Sequence, residues 1–200
     1  MSIDEAVRLA EGPARTAAIA AWFQQLYRAI PAERVPVLVG GAAVELLTGG
    51  AYTTGDLDFV GTVPRAVSEE LLRAGFRREG RHWIREKGEV FLELPAAALS
   101  PGESSGVVRV GQVDVLVLSA EDLIADRLAS WQFWEVAQDA VGALLLLRRQ
   151  RTKIDTTRLE GAAESKGVGR ALESLLRFDG RLGDREPGET EVEEWARAIP

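Results

Sequence analysis

The sequence predicts a mixed α/β (α+β) fold, with a mixed β-sheet flanked by helices and a helical region after it. Two observations lead there. Short β-branched runs alternate with helical periodicity as far as about residue 118. Beyond that point the strand pattern stops, and apolar residues recur at spacings of three and four. The division predicts an α/β core with an N-terminal helix over residues 1–118. A helical bundle region over 119–183 and an acidic tail over 184–200 follow it.

Taken in order, residues 14–29 read as a helix, because Ala18, Ile19, Trp22, Phe23, Leu26 and Ile30 form one apolar stripe. Pro13 suits an early helical position and Pro31 ends the pattern. Val35 to Val39 is a short strand closed by Gly40-Gly41. Ala42 to Thr48 make two helical turns, stopped by Gly49-Gly50. Leu57 to Val60 form a second strand. After Pro64, residues 65–74 form a helix that carries Val67, Leu71 and Leu72 toward the core. Arg81 to Arg85 and Val90 to Leu94 pair across a turn at Lys87-Gly88. A further hairpin joins Val107–Val110 to Val113–Leu118 about Gly111-Gln112.

Ser119 with Asp122 caps a helix that runs through Leu123, Ile124, Leu128 and Trp131. Helices over residues 135–149, 156–165 and 170–178 come next. Residues 184–197 hold six acids against two arginines, interrupted early by Gly and Pro, which predicts a solvated tail with a terminal helical turn.

Composition excludes several classes of function. The 200 residues are 46% apolar and 28% charged, as in ordinary globular proteins. There is no cysteine, which removes disulfides, thiolate metal sites and a cysteine nucleophile together. No apolar run, Ala143–Leu147 included, approaches the roughly 20 residues that span a bilayer. With no basic, apolar leader after Met1, the expected compartment is cytoplasmic, without membrane partners. A formal charge of −7 disfavours broad binding to a nucleic-acid backbone.

The chemistry sits in Val39-Gly40-Gly41, fourteen intervening residues, then Asp56-Leu57-Asp58. Strand side chains at i and i+2 share a face, so Asp56 and Asp58 aim together while Leu57 and Phe59 turn into apolar packing. Two adjacent carboxylates repel unless a proton or cation lies between them. Oxygen ligands of this kind suit Mg²⁺ (or Mn²⁺) held together with substrate phosphates. Gly40 and Gly41 let a phosphate approach the backbone at the start of the next helix.

This pattern resembles the nucleotidyltransferase superfamily, whose signature is a hydrophobic residue, Gly-Gly or Gly-Ser, a spacer, then Asp-hydrophobic-Asp or Glu. The nearest look-alikes are bacterial minimal enzymes and the nucleotidyltransferase partners of abortive-infection and related toxin–antitoxin pairs. Thr54 fits their Arg-x-Thr-x-Asp-x-Asp form, while Tyr52 stands where the Arg would be. Ser119-Ala120-Glu121-Asp122-Leu123-Ile124 is similar to the family's Ser-x-Glu-Asp-Leu-Ile helix. Asp126-Arg127-Leu128 and Asp139 also fall where relatives carry comparable residues.

The resemblance implies a nucleotidyltransferase-type sheet. It also implies transfer of a nucleoside monophosphate from a nucleoside triphosphate to a hydroxyl on a small molecule, a protein or an RNA end. Metal ligation falls to Asp56 and Asp58, with a third carboxylate at Glu93, or alternatively Asp114. Glu93 would also help deprotonate the acceptor hydroxyl. Gly40, Gly41, Thr54 and Arg127 would contact the nucleotide's phosphates. The alternative is a catalytically degenerate nucleotidyltransferase fold that binds or regulates a partner protein, such as a toxin–antitoxin component.

Overall fold

The computed structural model describes residues 1–28, 30 and 34–198. Its contacts divide into two compact units, Met1–Leu118 and Ser119–Pro200.

In the first unit, the described residues form a seven-stranded mixed sheet. Its strands are β1 (Val37–Val39), β2 (Asp56–Val60), β3 (Arg77–Glu79), β4 (His82–Arg85), β5 (Val90–Ala96), β6 (Ser105–Val110) and β7 (Val113–Leu118). Their order is β3-β4-β5-β2-β1-β7-β6. The α/β prediction therefore holds. β1 runs antiparallel to β2, β2 runs parallel to β5, and β1 meets β7 in parallel at the single pair Leu38–Val117. The helices are α1 (Ile3–Ala6), α2 (Pro13–Gln25), α3 (Gly40–Thr48) and α4 (Arg65–Arg73).

Alternation along β2 decides which face is core. Leu57 and Phe59 are buried, whereas Asp56 is exposed and Asp58 half-buried. α2 covers the apolar face, with the Phe23 ring 4.7 Å from Phe59 and tilted against it. Trp22 stacks on Phe76 at 5.7 Å. The buried Gln24 completes this junction. Its Nε2 donates to Leu116 O at 2.7 Å and to Pro36 O at 3.0 Å, and its Oε1 accepts from Leu116 N at 2.9 Å. A buried backbone group without a partner is costly, so one amide here satisfies three of them.

Several boundaries differ from the sequence reading, each for a local reason. α2 ends at Gln25, and Ala29 and Pro31 lie outside the described residues. α3 starts at Gly40 rather than Ala42. Leu72 is 56% exposed and does not face the core. Val67 and Leu71 form the buried stripe of α4, and Leu72 stands one position, roughly 100° of helix, away from it. β3 escaped notice because Arg77-Arg78-Glu79 is exposed at every position and offers no apolar alternation. α1 is one turn, fixed by a capping box between Ser2 and Glu5.

The second unit contains α5 (Ala120–Trp134), α6 (Ala137–Arg149), α7 (Thr156–Ser165), α8 (Gly169–Leu182) and α9 (Glu189–Arg197). Ser119 caps α5 as predicted, accepting from Asp122 N. Glu135 takes a left-handed φ of 59°, which ends α5 and delays α6 to Ala137. Within the segment expected as a solvated tail, Glu189–Arg197 form a packed helix. Trp195 is buried on α9, stacked on Phe178 at 4.6 Å, and Trp131 Nε1 donates to Ala196 O at 2.7 Å. The many acids along α9 masked this anchor. Trp131 is fully buried, but Trp134 is 71% exposed.

Among the described residues, no helix is long and apolar enough to cross a membrane.

Replacing Gln24 with Leu keeps the shape but strips partners from Leu116 and Pro36. Each group left buried and unsatisfied costs about 1–3 kcal/mol. Urea unfolding of Gln24→Leu is therefore expected to show a stability loss of that order or larger; unchanged stability would remove the clamp from the account.

Candidate functional site

Two strands and a helix start bring the predicted residues together. β1 delivers the chain to Gly40, which has a φ of 65° and opens α3. β2 runs back beside β1, with Asp58 paired in register to Val39. The Asp58 carboxyl group consequently packs directly on Gly40. A Cβ placed there would collide with Asp58 Oδ2 and lie 3.1 Å from Cγ. The next residue is equally confined, since a Cβ on Gly41 would lie 2.8 Å from Thr54 Oγ1. Only glycine combines the positive φ with this close approach. The glycine corner, Thr54 and the Asp-x-Asp strand are thus one assembly, with Asp56 exposed at its edge.

Glu93 joins the same face. β5 lies parallel to β2, and its register sets Glu93 opposite Asp58 and Phe91 opposite Asp56. The Glu93 side chain is mostly buried, but its carboxylate is already engaged. Arg81 Nε lies 2.7 Å from Oε1, and His82 Nδ1 lies 3.6 Å from Oε2. Among the described residues, no group of three or more His, Asp or Glu side chains is placed to ligate one metal ion. The oxygen donors that could hold a hard cation here are those of Asp56 and Asp58. Their i, i+2 spacing and shared face supply adjacent oxygen ligands beside a corner free of side chains.

Asp114 stands elsewhere. Because Val117 is level with Leu38, Asp114 sits toward the start of β7, at the sheet end remote from Gly40. Arg109 holds it through two hydrogen bonds of 2.7 and 2.8 Å, and this guanidinium keeps its carboxyl below the usual carboxylate range. Arg127 belongs to α5 in the second unit and bonds Asp139 at 2.7 Å, with both side chains largely buried. At the end of α6 and just beyond it, Arg148 and Arg151 converge on the buried Asp179.

Sequence reasoning missed a cleft of about 350 Å³ bounded by Arg15, Thr16, Glu45, Thr54, Asp56 and Phe91. Glu45 is buried there and accepts a 3.0 Å hydrogen bond from Thr16 Oγ1. Burial pushes its pKa up, and the Thr16 hydrogen bond only partly opposes that shift. Arg15 donates to Gly88 O, while its buried Nε has no hydrogen-bond partner among the described residues. Neither Arg15 nor Glu45 stands out in a one-dimensional pattern, because each looks like a polar residue on a helix flank.

Two outcomes follow. Gly40→Ala must relax a left-handed residue and displace the Asp58 carboxylate, at a cost of about 1–3 kcal/mol from backbone strain alone. Chemical denaturation checks this, and a wild-type midpoint would contradict the close packing. Glu45 gives a pH signature with a definite sign. A carboxyl whose folded pKa is raised stabilises the fold at low pH. That contribution is lost as pH rises from the ordinary glutamate value of 4.5 through the higher folded value. Glu45→Gln should flatten this part of the melting-temperature profile relative to wild type; parallel profiles would refute the burial effect.

No family model matches the chain, and no curated protein does either. Among solved structures, the fold is similar to an antigenic nucleotidyltransferase-like protein from Paracoccidioides brasiliensis. The match has a TM-score of 0.53 at 17% identity and covers 81% of this chain and 92% of that one. An identity this low speaks to architecture, and on that ground the chain has a nucleotidyltransferase-like fold.

Proposed function

We propose that the protein is a metal-dependent nucleotidyltransferase that moves a nucleoside monophosphate from a nucleoside triphosphate to a hydroxyl acceptor. One observation carries the reading: the Asp58 carboxylate is seated on the Gly40 corner, beside Thr54 and on the face that Asp56 shares. The nucleotidyltransferase-like fold supports it.

On this reading Asp56 and Asp58 hold Mg²⁺ or Mn²⁺. The cation would neutralise phosphate charge and polarise the reacting phosphoryl group. Gly40 and Gly41, bare of side chains though buried, stand at the start of α3, where backbone N–H groups favour an anion. Thr54 offers a hydroxyl donor at the same corner. Glu93 is the carboxylate on the adjacent strand that would accept the acceptor's proton. The acceptor hydroxyl forms the new bond at the α-phosphorus, and pyrophosphate departs. Asp114, at the other end of its strand and paired to Arg109, has no part in this scheme, and Arg127 is paired to Asp139.

A second reading has a specific observation in its favour. Glu93 is tied to Arg81, as it would be in a fold that binds nucleotide or a partner protein without turnover, for example one component of a toxin–antitoxin pair.

A screen of the four ribonucleoside triphosphates with Mg²⁺ or Mn²⁺ tests the proposal, with thermal shift and transfer of α-phosphate label as readouts. Wild type should be stabilised, by about 2.7 kcal/mol at a hundredfold excess over Kd. Asp56→Asn with Asp58→Asn should abolish the shift and the transfer. A metal-dependent shift without transfer to any acceptor selects the second reading, and an equal shift in the double variant sinks both.

A further inference from the structure

We propose that the cleft beside Asp56 takes the base of the nucleoside triphosphate. Arg15 and Glu45 would hold the edge of that base by hydrogen bonds, while the phosphates stay outside at the Gly40 corner. The inference rests on the reading that this corner, with Asp56 and Asp58, holds the phosphates and their cation.

The cleft has hydrogen-bonding capacity that the protein itself leaves unused. α2 and α3 contribute Arg15, Thr16 and Glu45, and the starts of β2 and β5 contribute Asp56 and Phe91. Its volume of about 350 Å³ is at the small end of ligand pockets, which run roughly 300–1,000 Å³, so it suits one ring system rather than a whole triphosphate. The Arg15 side chain is only 19% exposed. One of its terminal nitrogens serves Gly88 O, but its buried Nε–H has no hydrogen-bond partner among the described residues. A buried donor left unpaired is costly, and an acceptor atom seated in the cleft would relieve it. Glu45 is 2% exposed, and Thr16 Oγ1 occupies its Oε2 at 3.0 Å. Burial favours the neutral carboxyl, which both donates and accepts.

The fixed charges decide what can enter. Glu11, Glu89 and Asp56 are all exposed around this cleft, and Arg15 is the one cation among its described lining residues. Three carboxylates repel a phosphate, so the occupant is a neutral body. The neutral part of a nucleotide is its base, whose edge sets an acceptor beside an N–H or amino donor. That edge matches the Arg15 donor and the Glu45 carboxyl. A base also has a flat face, and Phe91 offers a ring for it to lie against. Phe91 is 41% exposed and level with Asp56 across the β2–β5 pairing. Asp56 borders both the cleft and the glycine corner, which lets one nucleotide span the two.

The test is calorimetric titration of the full chain, with Mg²⁺, by each of the four ribonucleoside triphosphates and by inorganic tripolyphosphate. At least one nucleotide should bind about tenfold or more tightly than tripolyphosphate, the factor that a hydrogen bond to a charged group commands. Arg15→Gln, Glu45→Leu and Phe91→Ser should each remove about fivefold or more of that preference, while tripolyphosphate affinity stays put. A purely structural effect would weaken both ligands alike. Phe91 is exposed, so its variant carries the test even where a buried substitution disturbs folding, and melting temperatures of the unliganded variants report on that. If tripolyphosphate binds and no nucleotide exceeds it, or if all three variants keep the preference, the base pocket is overturned and the phosphate corner stands. If neither ligand binds, both are overturned.

Discussion

A missing side chain governs the first unit. Gly40 must be bare for two separate reasons: its φ of 65° excludes most residues, and the space where a Cβ would go is filled by the Asp58 carboxylate. That contact sets how far β1 can run before turning into α3 and how closely β2 can lie beside it. It also fixes which face of β2 carries the acids, because a one-residue slip would turn Asp56 and Asp58 into the apolar layer against Phe23. The chemistry and the packing are thus two readings of one register.

The charged face is built by adjacency in space rather than in sequence. Asp58 and Glu93 are far apart along the chain, yet the parallel β2–β5 pairing makes them neighbours. Arg81 reaches Glu93 across the β4–β5 hairpin. The outcome is a surface on which Asp58 and Glu93 lie side by side, with Arg81 paired to Glu93.

The legible part of this structure was the part with period. Val37–Val39, Asp56–Val60 and the apolar stripe of α2 all announce themselves, as does the Ser119 cap. The i, i+2 carboxylates were visible for the same reason. What escaped the sequence was partner choice. Asp139 takes Arg127, Asp179 takes Arg148 and Arg151, and Asp114 takes Arg109; each pairing depends on tertiary placement or hairpin register. Trp195 was hidden among glutamates because its burial comes from Phe178 and Trp131, on other helices. The all-charged β3 and the single turn α1 are too polar or too short to carry a periodic signal.

The Gln24 amide has one more implication. β1 and β7 meet at a single pair of residues, and beside that pair a glutamine side chain, not a strand, receives both backbone groups of Leu116. The sheet is therefore seamed. Five strands lie on one side and the β6–β7 ribbon on the other, with Gln24 of α2 bonded to both sides. Amide protons along this seam should exchange in two separate tiers, with the ribbon opening as a flap while the acid-bearing strands stay shut.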